Sequence, residues 1–196
     1  MKKILILILV VGSGLLSAAC TTPQAYVDPQ YKGATYASVQ RLANPLPAKV
    51  SVQFQQNGKP MPSVNTELKG HVEKTLRASG VFLPTTDPDA PVIISVTANN
   101  IADLATARAK GFGTGLTFGG AGSMVDDNYE FVFSFRDTAN HKYKATYQHA
   151  IHTAIGRTER PAGLTPMTVT EAFGRVIEDV TLNFVKDLQD RRLITD

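Results

Sequence analysis

The chain is poor in the features that most readily announce a function. A single cysteine, Cys20, stands in 196 residues, so the chain has no internal disulfide to form. The apolar stretch near the N-terminus, residues 4–19, is shorter than the roughly 20 residues that a bilayer-spanning helix needs. Lysine and arginine number 20 against 17 aspartates and glutamates, and without Lys2 and Lys3 the balance is 18 against 17. No basic cluster marks a nucleic-acid surface, and no nucleic-acid partner is expected.

Chemical motifs are equally scarce. GxGxxG would need glycine where Leu116 or Phe118 stands, and a phosphate loop would need lysine where Ala121 follows Gly120. No Gly-x-Ser-x-Gly elbow presents a nucleophile. His149 and His152 are the close histidine pair, but residues three apart on a strand face opposite sides, so no metal site is expected from them. His149, between Tyr147 and Ile151, reads as a hydrogen-bonded core histidine, and His152 as a residue of the polar face. His71 reads as a partly exposed surface histidine, Asp126-Asp127 as a turn, and Arg157, Glu159 and Arg160 as a solvated loop. The expectation is a protein that is not an enzyme and needs no cofactor.

What is present begins at the N-terminus. Lys2 and Lys3 give a basic start, Ile4 to Val11 an apolar run and Ser17 to Ala19 small residues. With Cys20 directly behind, this resembles a bacterial lipoprotein signal, Leu16 lying one place further from the cysteine than the pattern prefers. The resemblance implies that residues 1–19 are removed as a signal peptide and that Cys20 carries acyl chains such as palmitate. Two or more chains give stable attachment to a membrane. Thr21 is not the aspartate linked to inner-membrane retention, which implies the periplasmic face of the outer membrane.

Residues 20–48 then read as the acylated cysteine and a flexible tether, because Pro23, Pro29, Pro45 and Pro47 interrupt any regular element. Fully extended, such a tether reaches roughly 90 to 100 Å, and as a coil about 30 Å. Tyr26, Tyr31 and Tyr36 match neither helix nor strand period. Packing on the chain's own domain is the ordinary role for them, docking on a partner the alternative.

Residues 49–196 read as one α/β domain. Val50, Val52 and Phe54 alternate with Lys49, Ser51, Gln53 and Gln55 as a half-buried strand, and Asn57-Gly58 turns the chain. Val64, Leu68, Val72 and Leu76 form a helical stripe, with Ser63 as its expected cap and Gly80 as its stop. Residues 92–98 form a second strand, expected parallel to the first. Residues 128–136 and 142–155 make a hairpin with Tyr129, Phe131, Phe133 and Phe135 inward. Thr168 and Glu171 have capping-box spacing before the stripe Phe173, Ile177, Val180, Phe184 and Leu188. The expected class is α+β, a two-layer sandwich of a mixed four-stranded sheet with two helices on one face, in the order β-α-β-β-β-α.

A glycine-rich insertion, residues 107–125, interrupts this plan. Gly111, Gly113, Gly115, Gly119, Gly120 and Gly122 alternate there with Phe112, Leu116 and Phe118. Four or five glycines cost a helix in water on the order of 4 kcal/mol. An exposed bent strand or loop, a partner-binding flap through Phe112, Leu116 and Phe118, and a membrane-inserting segment are the three readings. Across residues 49–190 the element order and the Tyr143 to Ile155 strand resemble small YajG-type envelope lipoproteins and, more loosely, accessory factors of envelope assembly. That resemblance supplies no site residues. The first functional expectation is a non-enzymatic lipoprotein that binds a protein partner in envelope assembly or maintenance. A self-assembling or membrane-active protein using residues 111–123 is the second, with homo-oligomers as its mark. A small apolar ligand carrier or hydrolase built on His149 is the third.

Overall fold

The computed structural model describes residues 22–102 and 122–194, and the side chain of Ala102 is outside that description. The strands are β1 (Gln24–Val27), β2 (Leu46–Gln56), β3 (Lys59–Pro60), β4 (Phe82–Thr85), β5 (Val92–Ala102), β6 (Ser123–Asp137) and β7 (Lys142–Ile155). The helices among the described residues are α1 (Asn65–Ser79) and α2 (Val169–Asp190). One mixed sheet of seven strands runs β1-β7-β6-β5-β2-β3, and β4 lies parallel to the start of β2.

Period-2 apolar patterning builds the centre of this sheet. Val50 and Phe54 of β2, Ile94, Val96 and Ala98 of β5, and Phe131, Phe133 and Phe135 of β6 all turn to the helical face and are buried. β2 and β5 pair in parallel, as the strand-helix-strand spacing predicts, and β5, β6 and β7 are antiparallel. Asn57 and Gly58 have φ of 50° and 77°, both left-handed, which is the two-residue hairpin turn that asparagine-glycine favours.

Both helices bury one stripe against this face. α1 contributes Leu68, Val72 and Leu76 and ends at Gly80, whose φ of 72° closes the helix in the left-handed region. α2 opens with the expected box: the Glu171 amide donates to Thr168 Oγ1 and the Thr168 amide to the Glu171 carboxylate. Its Phe184 ring lies 4.8 Å from that of Phe133 and stacks on Tyr143. Fully burying one such ring contributes about 2 to 3 kcal/mol.

The structure corrects the expectation in three places. The sheet has seven strands rather than four. β1, β3 and β4 are short edge strands set by their neighbours rather than by any alternation of their own. Asp126 and Asp127 belong to β6 and form no turn, because β7 continues far enough to pair with them. Ser63 lies in a 3-10 turn, and α1 begins at Asn65, whose side chain accepts from the Phe54 amide at 2.7 Å.

The stretch drawn as a tether is also different over residues 24–42. Ala25 and Tyr26 are buried in β1, held by β7 on one side and by two hydrogen bonds to Met167 on the other. The chain then runs along α2 as a strap. The Ala34 amide donates to Asn183, Tyr36 to Glu178 and the Gln40 amide to Gln189, after which the Leu42 amide reaches Gly80 at the end of α1. Gly33 fits only because it lacks a Cβ, which would stand 2.1 Å from Asn183 Oδ1. Tyr26 and Tyr31 thus pack on their own domain, whereas Tyr36 is exposed and touches it through Glu178.

Candidate functional site

Helices cover one face of the sheet, and among the described residues none covers the other. This outer face is four strands wide across β2, β5, β6 and β7, and its register is fixed by backbone pairing. Lys49, Ile93, Arg136 and Lys142 face one another in a single row across the four strands. The next row is Ser51, Ser95, Ser134 and Lys144. Neighbouring strands are about 4.8 Å apart, so four cations gather at one end of the face with three hydroxyls beside them. Ser51 and Ser95 hydrogen-bond at 2.9 Å. An open depression of about 520 Å³ lies here, lined by Ile93, Ser95, Ser134, Arg136, Lys142 and Lys144 among others.

The opposite end of the same face is acidic and closed on itself. His152 stands between Asp126 at 2.7 Å and Asp28 at 3.4 Å. Burial alone would depress its pKa, but the hydrogen bonds and charges of the two carboxylates outweigh that and raise it. The clasp ties β6, β7 and the end of β1 together.

Beneath the sheet two further polar groups are closed. Tyr147 and Tyr143 donate to Asp187 of α2 at 2.5 and 3.2 Å, and the Arg191 guanidinium lies 4.7 Å above the Tyr143 ring. Burial, followed by the nearby Asp187 carboxylate, drives the Tyr147 phenol far above its ordinary pKa. His149 is 1 % exposed and accepts from the Ala150 amide through Nδ1 at 2.9 Å. Its Nε2 faces Asp179 at 3.5 Å without a hydrogen bond. Asp179 is held in turn by Arg175 at 3.1 Å, and the Tyr31 ring covers His149 at 5.4 Å.

Between the helices, a groove of about 520 Å³ is lined by His71, Lys74, Thr75, Gly174, Arg175 and Glu178 among others. Its charges are of both signs, and Arg175 already pairs with Glu178 and Asp179.

Cys20 and the three apolar residues of the glycine insertion, Phe112, Leu116 and Phe118, lie outside the described residues. His149 and His152 face opposite sides of β7, and no three histidine, cysteine or acidic side chains among the described residues are placed to hold a metal ion. The basic row was missed because it is not a sequence cluster. The outward parity of Lys49 was visible, but the row depends on β5 lying between β2 and β6.

No protein-family model matches the chain, and no curated protein matches it. Among solved structures it is similar to a PelC dodecamer from Paraburkholderia phytofirmans, at 14% identity over 82% of this chain and 97% of that one, with a TM-score of 0.39. It is similar to a minor lipoprotein from Acinetobacter baumannii at 16% identity over 74% of this chain and 92% of that one, with a TM-score of 0.38. A DUF330 protein from Xanthomonas campestris is similar at 12% identity over 82% and 98%, with a TM-score of 0.41.

Proposed function

We propose that the protein is a lipoprotein held by Cys20 at the periplasmic face of the outer membrane, where it binds a protein partner in envelope assembly or maintenance and performs no catalysis. The observation that carries this reading is the junction between anchor and fold. β1 begins at Gln24, four residues after Cys20. Four residues extend at most about 14 Å. An acylated Cys20 therefore keeps this end of the sheet at the bilayer surface and leaves the four-stranded outer face to a partner. The titratable clusters around His152 and Tyr147 favour binding over chemistry, since each is occupied by its own neighbours.

Metabolic labelling with palmitate, followed by membrane fractionation, tests the anchor. The wild type should carry label in the outer membrane and Cys20→Ser should lose it. Equal label in both, or a freely soluble wild type, would overturn the reading.

A second reading is favoured by a specific placement. Ala102 pairs with Asp127, Ser123 with Ile155 and Gln24 with Ala154. The glycine insertion therefore leaves and rejoins the sheet at the end nearest Cys20. In this reading residues 111–123 touch lipid or another copy of the chain. Photo-crosslinkers at Phe112, Leu116 and Phe118 separate the two: lipid adducts or self-crosslinks support the second, and a discrete heterologous band supports the first.

A further inference from the structure

Lys49, Arg136, Lys142 and Lys144 are all exposed, and among the described residues none stands within ion-pair distance of a carboxylate. Arg136 lies directly opposite Lys142 on an antiparallel pair, an arrangement in which like charges repel and destabilise the sheet. The nearby Asp137 does not relieve it, because its carboxylate is taken by the amide and ring of His141. An anion placed over this row removes the repulsion.

We infer that the basic end of the outer face binds an acidic, extended segment of the partner protein, an inference that rests on the partner-binding reading above. Lys142 and Lys144 are alternate residues of one strand, about 6.7 Å apart along it. That matches the spacing of same-side carboxylates on an extended peptide with acids at every second position. Ser95 and Ser134 supply hydroxyl donors beside them, and Ile93 gives the segment an apolar floor.

Two other occupants fit less well. From Lys142 to Ala154, beside which β1 starts, is twelve residues of β7, about 40 Å of strand. With Cys20 in the bilayer, the basic row points away from that membrane and its head groups are out of reach. A second copy laid face to face offers too little charge: on the outer face of β6, Asp126 is engaged by His152, which leaves Glu130.

The test uses the full chain in mild detergent with a polyglutamate peptide as probe, read by fluorescence anisotropy and by melting temperature at low and high salt. The wild type should bind in a salt-sensitive way and melt higher with peptide. Arg136→Glu with Lys142→Glu should weaken binding by about tenfold or more, and the neutral pair Arg136→Gln with Lys142→Gln by a smaller factor. Lys74→Glu, in the helix groove, should leave it unchanged. Unaltered binding in folded reversed or neutral variants overturns the inference. So does tighter wild-type binding of phosphatidylglycerol vesicles or inorganic phosphate than of the peptide. In-cell crosslinking from position 144 keeps the two claims apart. A partner captured equally by the reversed variant sinks the basic surface and leaves partner binding standing. Charge-dependent peptide binding with no protein ever captured supports the surface and sinks the partner reading.

Discussion

His152 is the residue whose charge state the fold most directly uses. Its raised pKa means that the clasp with Asp126 and Asp28 is fully made below the ordinary imidazole value of about 6.5 and is lost as pH rises through the higher folded value. We expect His152→Gln to remove about 1 kcal/mol at low pH and nothing at high pH. Denaturant melts of both proteins from about pH 6 to about pH 9 check this, and a parallel pair of curves would refute it. His149 lies on the opposite, inner face of β7 and is buried. His149→Gln is expected to cost about 1 to 2 kcal/mol, because Asp179 loses a polar neighbour, while leaving any envelope phenotype intact. A lost phenotype at unchanged stability would instead revive a carrier or hydrolase built on this histidine.

At the scale of elements, the strap decides more than its irregularity suggests. Gly33→Ala drives a methyl into Asn183 and so removes the Ala34 hydrogen bond. The expected cost is about 1 to 2 kcal/mol, with faster amide exchange confined to residues 28–42 by mass spectrometry. Uniform change across the sheet would show that the strap is no separate unit. The same element marks where sequence ceases to be legible. The stripe Leu68, Val72 and Leu76, the Thr168 and Glu171 box, and the bounds of β7 could be read from periodicity and capping, because those signals are local. β1, with four residues between two prolines, carries no such signal and is a strand only because β7 and Met167 bond to it. The basic row is illegible for a related reason. Its members come from β2, β6 and β7, and only the register of the whole sheet brings them together.

Over the whole molecule, the polarity of the sheet becomes an orientation. Gln24, Met124 and Ala154 form a row at one end, while Lys49, Arg136 and Lys142 form a row at the other. On vesicles carrying the acylated protein, a fluorophore at position 24 should be quenched by lipid-borne quenchers and one at position 142 should not. Equal quenching would mean that the domain lies flat or swings free. No helix among the described residues is long and apolar enough to cross a membrane. In the proposed reading the orientation is set by Cys20 and the few residues behind it. The strap adds a constraint in time. β1 and the residues after it are made first, yet Asn183 and Gln189, which hold the strap, follow 149 residues later. Contacts of such separation form slowly, and here they await the synthesis of α2. Residues 34–40 are thus without these partners until α2 has been made. β1 can pair with β7 and Met167 before that point, but the strap closes only once the last helix has arrived.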